Sequence, residues 1–550
     1  MTRRRAVNVC SACHKRKTRC DLDTTQAPCS RCSELGEICV LRTRKAYSAR
    51  GRRVGRSITS SSDEEHSATH GRSSVPHIDQ AQIVAAAITQ PGRQAVPLFV
   101  GEGGYGDILD ATGKVDHRHF VVPGEAEKPL APEDLAFLRV KGCFALPAES
   151  GELIKAYFQY VHPSFPVLDG PSFLQEYASS GLNKINLLLI WSMFSISASY
   201  LPIQSRRATK KVCVQRAKLL FDLTHESDKI VLIQSALLLS FWFIDAEDIK
   251  QSWYWSGIAF GIAQTLGLHR ALDVGLPQSS MREQILWRNI WRCCMFRDVW
   301  LSYGMGRPLR INATNCTRSE LPFSENHVQG IAFDGVDLYT PAEATGFMKM
   351  WQVLVGVGTT LRAILSLGQN RSSAQTKSSG IQICPQSDWE QTPLLTIVSR
   401  QLRLHQNAAL SALYRSSDDR EKLGAVAADT TSVIYACLDD GTTDYVAPTT
   451  IPLVVPAMLV QLKMLKSTEL KLRKQGESTL ELYFRFLTAI EDNYTAASTM
   501  KRLFAAAQNF IFRSDSGTIH EDQLASIPSP LVSFLSSQQL EYDHFQGFDN

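Results

Sequence analysis

Residues Cys10–Cys39 read CSACHKRKTRCDLDTTQAPCSRCSELGEIC and contain six cysteines in the pattern C-x2-C-x6-C-x8-C-x2-C-x6-C. The half-pattern C-x2-C-x6-C occurs twice, which indicates two similar loops that face each other. Tetrahedral zinc prefers thiolate ligands, and two zinc ions need eight ligand positions. Six cysteines fill eight positions only if two thiolates bridge both metals. The stretch therefore predicts a small head with two structural zinc ions, because it is too short to bury a core of its own.

Three other states of these cysteines have to be weighed. A disulfide knot is typical of secreted chains, but the amino-terminal MTRRRAVNVC has no apolar stretch behind its arginines, which disfavours it. Free thiols are a second alternative. A single zinc site with two spare cysteines is a third. The repeated spacing favours the two-zinc head over all three.

The composition indicates an intracellular globular protein. The chain has 550 residues, of which 44% are apolar and 20% are charged. That composition is ordinary for folded domains, and the length allows several of them. No uninterrupted apolar run reaches the ~18–20 residues that a membrane span needs. We therefore expect no membrane partner.

Charge is distributed unevenly along the chain. Residues 1–56 carry 15 Lys and Arg against 4 Asp and Glu, whereas the rest of the chain carries 43 against 50. A small basic head on a mildly acidic body is the electrostatic pattern of a nucleic-acid-binding protein. The charge pattern therefore predicts that the head binds a nucleic acid, and the family resemblance described next implies that this partner is double-stranded DNA.

The cysteine stretch resembles the fungal binuclear zinc-cluster (Zn(2)-C6) transcription factors. The resemblance rests on the six cysteines, on the basic run between them and on Pro28 in the connecting loop. In that family the first and fourth cysteines bridge, which implies that Cys10 and Cys29 contact both metals. By the same resemblance the two sites are completed by Cys13 and Cys20, and by Cys32 and Cys39.

Basic residues around the first loop are the candidate DNA contacts. The spacing of the first two cysteines suits a helical turn whose end fits the major groove, where Arg and Lys reach guanine O6 and N7. The resemblance implies that Arg16 and Lys17 read a CGG-type triplet and that Arg19 and Arg31 contact phosphates. His14 departs from the family, which usually has Arg there. The predicted DNA-binding residues are Lys15, Arg16, Lys17, Arg19 and Arg31.

The rest of the chain is predicted to be mainly α-helical. Stretches such as LWRNIWRCCMFRDVWLSYGMGRPLRI, residues 286–311, resemble the middle homology region of the same fungal regulators, in the branch of the cutinase and acetamidase activators. No sustained heptad follows the head, so a homodimer would have to form without a coiled coil. The predicted parts are a DNA-binding domain with a basic flank (1–56), a mostly disordered linker (57–130), an all-α regulatory domain (131–367), a C-terminal helical region (368–513) and a flexible tail that is a candidate activation segment (514–550).

These patterns predict a nuclear, sequence-specific transcription factor, with the transcription machinery as its second partner. The resemblance implies targets in a metabolic or secondary-metabolite gene cluster. The acidic and aromatic tail is typical of an activation segment, with an ordinary frayed terminus as the equally open alternative. We expect an activator, and a repressor with the same head is the alternative. An enzyme or a zinc-stapled small-molecule sensor is the alternative from another class. His162, His269 and Asp298 are the residues that invite it, but we expect them to brace a helical core. The protein is therefore predicted not to be an enzyme.

Overall fold

The structure is a computed structural model, and it describes part of the chain. The described residues are 10, 13, 15–16, 18, 20–21, 28–36, 39, 95–101, 107–108, 111, 118–123, 130–201, 206–223, 226, 228–242, 251–270, 280–316, 327–368 and 392–515. Two compact units are present, Met1–Pro76 and His77–Asn550. Lys17, Arg19, the segment 57–94 and the candidate activation tail from residue 516 lie outside the described residues.

The described part of the chain is largely helical, as predicted. Apart from three short 3-10 turns, its elements, numbered in chain order, are α1 (Ser30–Glu34), β1 (Ala95–Phe99), β2 (His119–Pro123), α2 (Pro132–Val140), α3 (Ser150–Ala156) with a π-helical turn (Tyr157–Val161), α4 (Gly170–Ser180), α5 (Leu187–Ser197), α6 (Arg206–Leu223), α7 (Lys229–Leu239), α8 (Ser252–Thr265), α9 (Met281–Met305), β3 (Ala332–Phe333), β4 (Val336–Asp337), α10 (Pro341–Gly368), α11 (Pro393–Ser416), α12 (Arg420–Asp439), α13 (Thr450–Leu465), α14 (Leu470–Ile490) and α15 (Thr495–Asp515).

One hydrophobic core joins the helices of the second unit, from Leu138 in α2 to Ile511 in α15. The largest fully buried side chains in it include Trp191, Trp255, Trp291 and Trp351. The core therefore runs across residue 367, where the sequence suggests a boundary between regulatory domain and C-terminal region. Those domain limits stay predictions, but the helices before and after residue 367 pack in the same hydrophobic core.

A buried lysine ties the first helices of this unit to the last ones. Lys210 of α6 donates from Nζ to the backbone oxygen and Oδ1 of Asn493, at 2.7 and 3.0 Å, and lies over the ring of Tyr494. Burial disfavours the charged amine and lowers the pKa of Lys210 to about 7. The Asn493 amide donates in turn to Ser199 O at 2.9 Å. These bonds satisfy polar groups that would otherwise be costly to bury.

Asp298 on α9 organises the turn that follows this helix. The helix begins with a capping box between Ser280 and Glu283, and it ends at Gly306, whose φ of 60° favours glycine. The buried Asp298 carboxylate then accepts from the backbone N–H groups of Arg310 and Ile311, at 3.0 and 3.2 Å. A carboxylate placed this way fixes the path of the chain after the helix.

An arginine from α10 completes the same network. Arg362 Nη2 lies 2.9 Å from Asp298 Oδ2, and the two side chains are 7% and 0% exposed. Arg362 Nη1 also donates to Ile311 O at 2.9 Å. Asp298 thus braces the turn after α9 and its packing on α10, as the sequence suggested.

A two-stranded antiparallel sheet lies within the segment predicted to be mostly linker. Strands β1 and β2 pair with Phe99 opposite His119. His119 is buried and its Nε2 lies 3.1 Å from Gly267 O, at the turn after α8. Gly267 has a φ of 72°, and a Cβ there would lie 2.5 Å from His119 Nε2 and 2.6 Å from Phe99 Cβ. The strand pair therefore packs closely against the turn after α8, and this contact requires glycine at position 267.

Among the described helices, none is both long and apolar enough to cross a membrane.

The Asp298–Arg362 pair gives a test of the helical core. Asp298→Asn leaves the Arg362 charge buried without its counter-charge, and we expect it to lower the free energy of unfolding by about 3–5 kcal/mol. The matched control is Asp444→Asn, which removes a pair with Arg206 in which the aspartate side chain is 55% exposed. That change should cost less than about 1 kcal/mol. Urea unfolding followed by circular dichroism measures both, and equal effects would contradict the role given to Asp298.

Candidate metal centre

The six cysteines of the amino-terminal unit lie together. Cys10, Cys13, Cys20, Cys29 and Cys32 are buried, and Cys39 is half-buried against them. All six are free thiols rather than disulfides. A segment of this length has no other apolar core among its described residues, so the sulfur atoms occupy the position that a hydrophobic core holds in a larger domain.

The sulfur atoms form two overlapping groups of four. One contains Cys10, Cys13, Cys20 and Cys29, and the other contains Cys10, Cys29, Cys32 and Cys39. Within each group the ligand atoms all lie within 4.8 Å of one another. Cys10 and Cys29 belong to both groups, which is the sharing that eight positions and six ligands require.

The distances between sulfur atoms suit tetrahedral zinc. A Zn–S bond of about 2.3 Å gives a tetrahedron whose edges are about 3.8 Å long. The Sγ–Sγ distances are 3.9 Å for Cys10–Cys29, 3.6 Å for Cys10–Cys32 and 3.7 Å for Cys13–Cys29. A disulfide would need about 2.05 Å. The donor set therefore fits two zinc ions, each bound by four thiolates.

The two halves of the stretch have equivalent backbone geometry. The N–H of Cys10 donates to Cys20 Sγ at 3.5 Å, and the N–H of Cys29 donates to Cys39 Sγ at 3.3 Å. In each half the first cysteine thus contacts the third, ten residues later. The repeated C-x2-C-x6-C pattern is therefore repeated in structure as well as in sequence.

Backbone N–H groups favour the thiolate form of both shared cysteines. The backbone N–H of Cys13 donates to Cys10 Sγ at 3.4 Å and lowers the pKa of Cys10 to about 6. The backbone N–H of Cys32 lowers the pKa of Cys29 in the same way. Burial raises the pKa of Cys13 to about 12, and metal binding would favour its thiolate form.

The predicted DNA contacts are partly described. Lys15 and Arg16 are exposed directly after Cys13, where the N–H of Thr18 donates to Cys13 O at 3.1 Å and closes a turn. Arg31 is exposed on α1, and its guanidinium lies 4.0 Å from the Glu34 carboxylate. Lys17 and Arg19 lie outside the described residues. The structure thus places Lys15 and Arg16 on the surface of the head, next to the sulfur cluster.

Asp21 is a residue of the head that the sequence analysis missed. Its Oδ1 accepts from the backbone N–H of Ser30 at 3.1 Å and so joins the end of the first half to the start of α1. The available signal was an acidic residue directly after Cys20 in a strongly basic stretch. This bond helps to hold the two loops in register.

The sharing of two thiolates can be tested by counting zinc. We expect about two zinc ions per wild-type chain, and fewer than one after Cys29→Ser because that thiolate serves both sites. Cys39→Ser removes a ligand from only one group and should retain more zinc than Cys29→Ser. Cys143→Ser, a buried cysteine of the helical unit, is the matched control and should retain the wild-type amount. Elemental analysis of purified protein measures all four, and equal losses in Cys29→Ser and Cys39→Ser would contradict the sharing.

Comparison with known proteins agrees with this geometry. Residues 8–48 match the fungal Zn(2)-Cys(6) binuclear cluster domain, and residues 154–352 match the fungal specific transcription factor domain. The first match contains all six cysteines. The second runs from the last residues of α3 to the first part of α10 and includes Asp298.

Three relatives show the range of similar proteins. Cutinase transcription factor 1 beta of Fusarium vanettenii is 34% identical over 228 residues, which are 39% of this chain and 25% of that protein. The acetamidase regulatory protein of Emericella nidulans is 34% identical over 184 residues, 32% of this chain and 23% of that protein. The fusaric acid cluster transcription factor FUB12 of Gibberella moniliformis is 23% identical over 354 residues, 53% of this chain and 51% of that protein.

The matched stretches span about a quarter to a half of the length of these relatives. The cluster domain and the helical domain occur here in one chain, in that order, and the six-cysteine group fits the two structural zinc ions that the first domain contains. The chain thus contains a match to the fungal Zn(2)-Cys(6) binuclear cluster domain followed by a match to the fungal specific transcription factor domain, and the three relatives are named as transcription factors or regulatory proteins.

Proposed function

We propose that this protein is a nuclear transcription factor that binds double-stranded DNA through its zinc-cluster head and reads a CGG-type triplet. The observation that carries the proposal is the pair of overlapping four-sulfur groups, with Lys15 and Arg16 exposed beside Cys13. Metal binding and the presentation of basic side chains are thus properties of one short stretch.

The zinc ions would act as structural elements. The four thiolates of each group would fill the coordination of its metal and leave no open position to activate water. When bound, the metals supply the cross-links that hold the two loops. The chain itself exposes Lys15 and Arg16 within the turn from Cys13 to Thr18, which suits insertion into the major groove.

In this proposal, one set of residues contacts the DNA bases and another set contacts the phosphate backbone. We assign Arg16 and Lys17 to guanine contacts, with Lys15 beside them, because Arg and Lys reach guanine O6 and N7 in the major groove. Arg19 and Arg31 are assigned to phosphates, which position the head but read no sequence. The excess positive charge of residues 1–56 adds an affinity that falls as salt rises.

The helical unit is proposed to regulate the output of the head. The relatives are named for cutinase, acetamidase and a fusaric acid cluster, so we propose target genes of nutrient catabolism or of a secondary-metabolite cluster. We further propose that the protein activates these genes through contacts of its tail with the transcription machinery. Repression with the same head is the second candidate, and a homodimer would form through the folded domains rather than a coiled coil.

DNA binding provides the experiment for this proposal. Lys17→Ala should weaken binding of the full chain to a duplex with CGG by about 1–3 kcal/mol and relax the preference for that triplet. Arg31→Ala should weaken binding to CGG and scrambled duplexes alike, and it should lower the slope of log affinity against log salt by about 1. Arg420→Ala, at an 89% exposed side chain of the helical unit, is the control and should change neither. Fluorescence anisotropy measures these quantities. Equal wild-type affinity for CGG and scrambled duplexes would contradict sequence reading.

A further inference from the structure

Four segments of the helical unit meet at the buried Lys210. This residue is 4% exposed, and its amine donates to Asn493 and lies 4.4 Å from the centre of the Tyr494 ring. The Asn493 amide donates to Ser199 O, directly after α5, and the Tyr494 hydroxyl donates to Val446 O at 2.8 Å. The end of α5, the first turns of α6, the turn after α12 and the segment between α14 and α15 are thus joined by consecutive hydrogen bonds.

Two further contacts hold the turn after α12 at the same junction. Arg206, the first residue of α6, has its Nη1 2.7 Å from Asp444 Oδ1. The ring of Tyr160 stacks on the rings of Tyr200 and Tyr445, and each pair of ring centres is 5.0 Å apart. The tyrosines connect the π-helical turn, the end of α5 and the turn after α12. Segments that are far apart in sequence are therefore held together here by polar and aromatic contacts.

We propose that this junction opens and closes locally and that a rise of pH above neutrality favours the closed state. We name it the Lys210 clasp and define it by Ser199, Lys210, Val446, Asn493 and Tyr494. In the closed state its bonds hold α5 and α6 against the carboxy-terminal helices. In the open state these bonds are broken and water reaches the amine. Local opening of this kind is an ordinary property of folded domains.

The amine of Lys210 binds a proton more weakly in the closed state than in the open one. Burial, with a smaller contribution from the charge of Arg206, lowers the pKa of Lys210 to about 7 in the closed clasp. The other cations in the first turns of α6, Arg207 and Lys211, are exposed. In the open clasp the amine is in water, where lysine has a pKa of about 10.4.

The sign and size of the pH effect follow from these two values. Opening takes up a proton between about pH 7 and pH 10, so rising pH disfavours the open state in this range. The equilibrium constant for opening falls about fivefold from pH 7 to pH 8 and about 50-fold from pH 7 to pH 9. Between pH 6 and pH 7 it changes only about twofold, because the amine is then largely protonated in both states.

The other titratable groups around the clasp do not produce this effect. Burial raises the pKa of both Tyr200 and Tyr494, so neither phenol ionises near neutrality. Asp492, next to the clasp on the carboxy-terminal side, is exposed, and the Glu491 carboxylate lies 3.8 Å from the Lys501 amine. The pH dependence of opening is therefore assigned to Lys210.

The consequence for regulation rests on the proposed function. If the helical unit controls the output of the head, the clasp makes that control depend on pH, because the population of the open state changes about fivefold from pH 7 to pH 8. The clasp itself does not depend on that role and is measured without DNA or transcription.

Hydrogen exchange of the full chain between pH 6 and pH 9 tests the clasp. After division by the intrinsic rate at each pH, we expect the protection of amides 206–213, 442–446 and 493–497 to rise about 50-fold from pH 7 to pH 9 in wild type. Lys210→Met keeps an apolar stem but binds no proton, and Lys210→Arg stays charged through pH 9. Both variants should therefore lose the rise in protection.

Lys501→Met is the matched control. Lys501 contacts Thr488 and Glu491 beside the same α14–α15 segment but lies outside the clasp, so this variant should retain the wild-type rise. The proposal is overturned if wild-type protection at these amides is constant or falls from pH 7 to pH 9, and this measurement decides even if neither Lys210 variant folds. It is also overturned if Lys210→Met retains the rise. None of these results depends on whether the head reads CGG, so failure of the proposed function is measured separately.

Discussion

The head depends on two sulfur atoms that serve two metals each. Cys10 and Cys29 complete both four-sulfur groups, and backbone N–H groups lower the pKa of both thiols. Thiolate ligands replace the hydrophobic core that so short a segment cannot bury, so metal binding supplies its folding free energy. The same stretch holds Lys15 and Arg16, so under the proposed function zinc binding would also position these two side chains for DNA.

The helical unit uses charge in a different way. Asp298 is surrounded by donors from its own following turn and from α10, and it fixes the path of the chain after α9. Lys210 similarly joins α6 to the segment between α14 and α15. A buried polar or charged group with all its hydrogen-bond partners specifies one arrangement of helices, whereas one with a missing partner is costly. These two networks join parts of the chain that are far apart in sequence into one core.

The sequence predicted what is local and repeated. The spacing C-x2-C-x6-C, found twice, predicts two equivalent loops, and the N–H to sulfur contacts of Cys10 and Cys29 confirm the equivalence. Helical periodicity predicted the all-α body, and Asp298 is a bracing residue as expected. Asp21 was missed because a single carboxylate gives no pattern. The pairing of β1 with β2 was missed because both strands are short. Their packing against Gly267 joins residues about 150–170 positions apart in the sequence, and local hydrophobic periodicity does not reveal such contacts. The individual DNA contacts and the domain limits stay predictions.

X-ray absorption at the zinc edge of the full chain tests the central claim most directly, because it reports the ligands of each metal without any assumption about DNA. Shared thiolates predict a first shell of four sulfur atoms at about 2.3 Å per zinc, together with scattering from a neighbouring zinc. Both signals should disappear together when Cys10 is replaced by serine. A first shell with nitrogen or oxygen ligands, or four sulfurs without a neighbouring metal, would contradict the account.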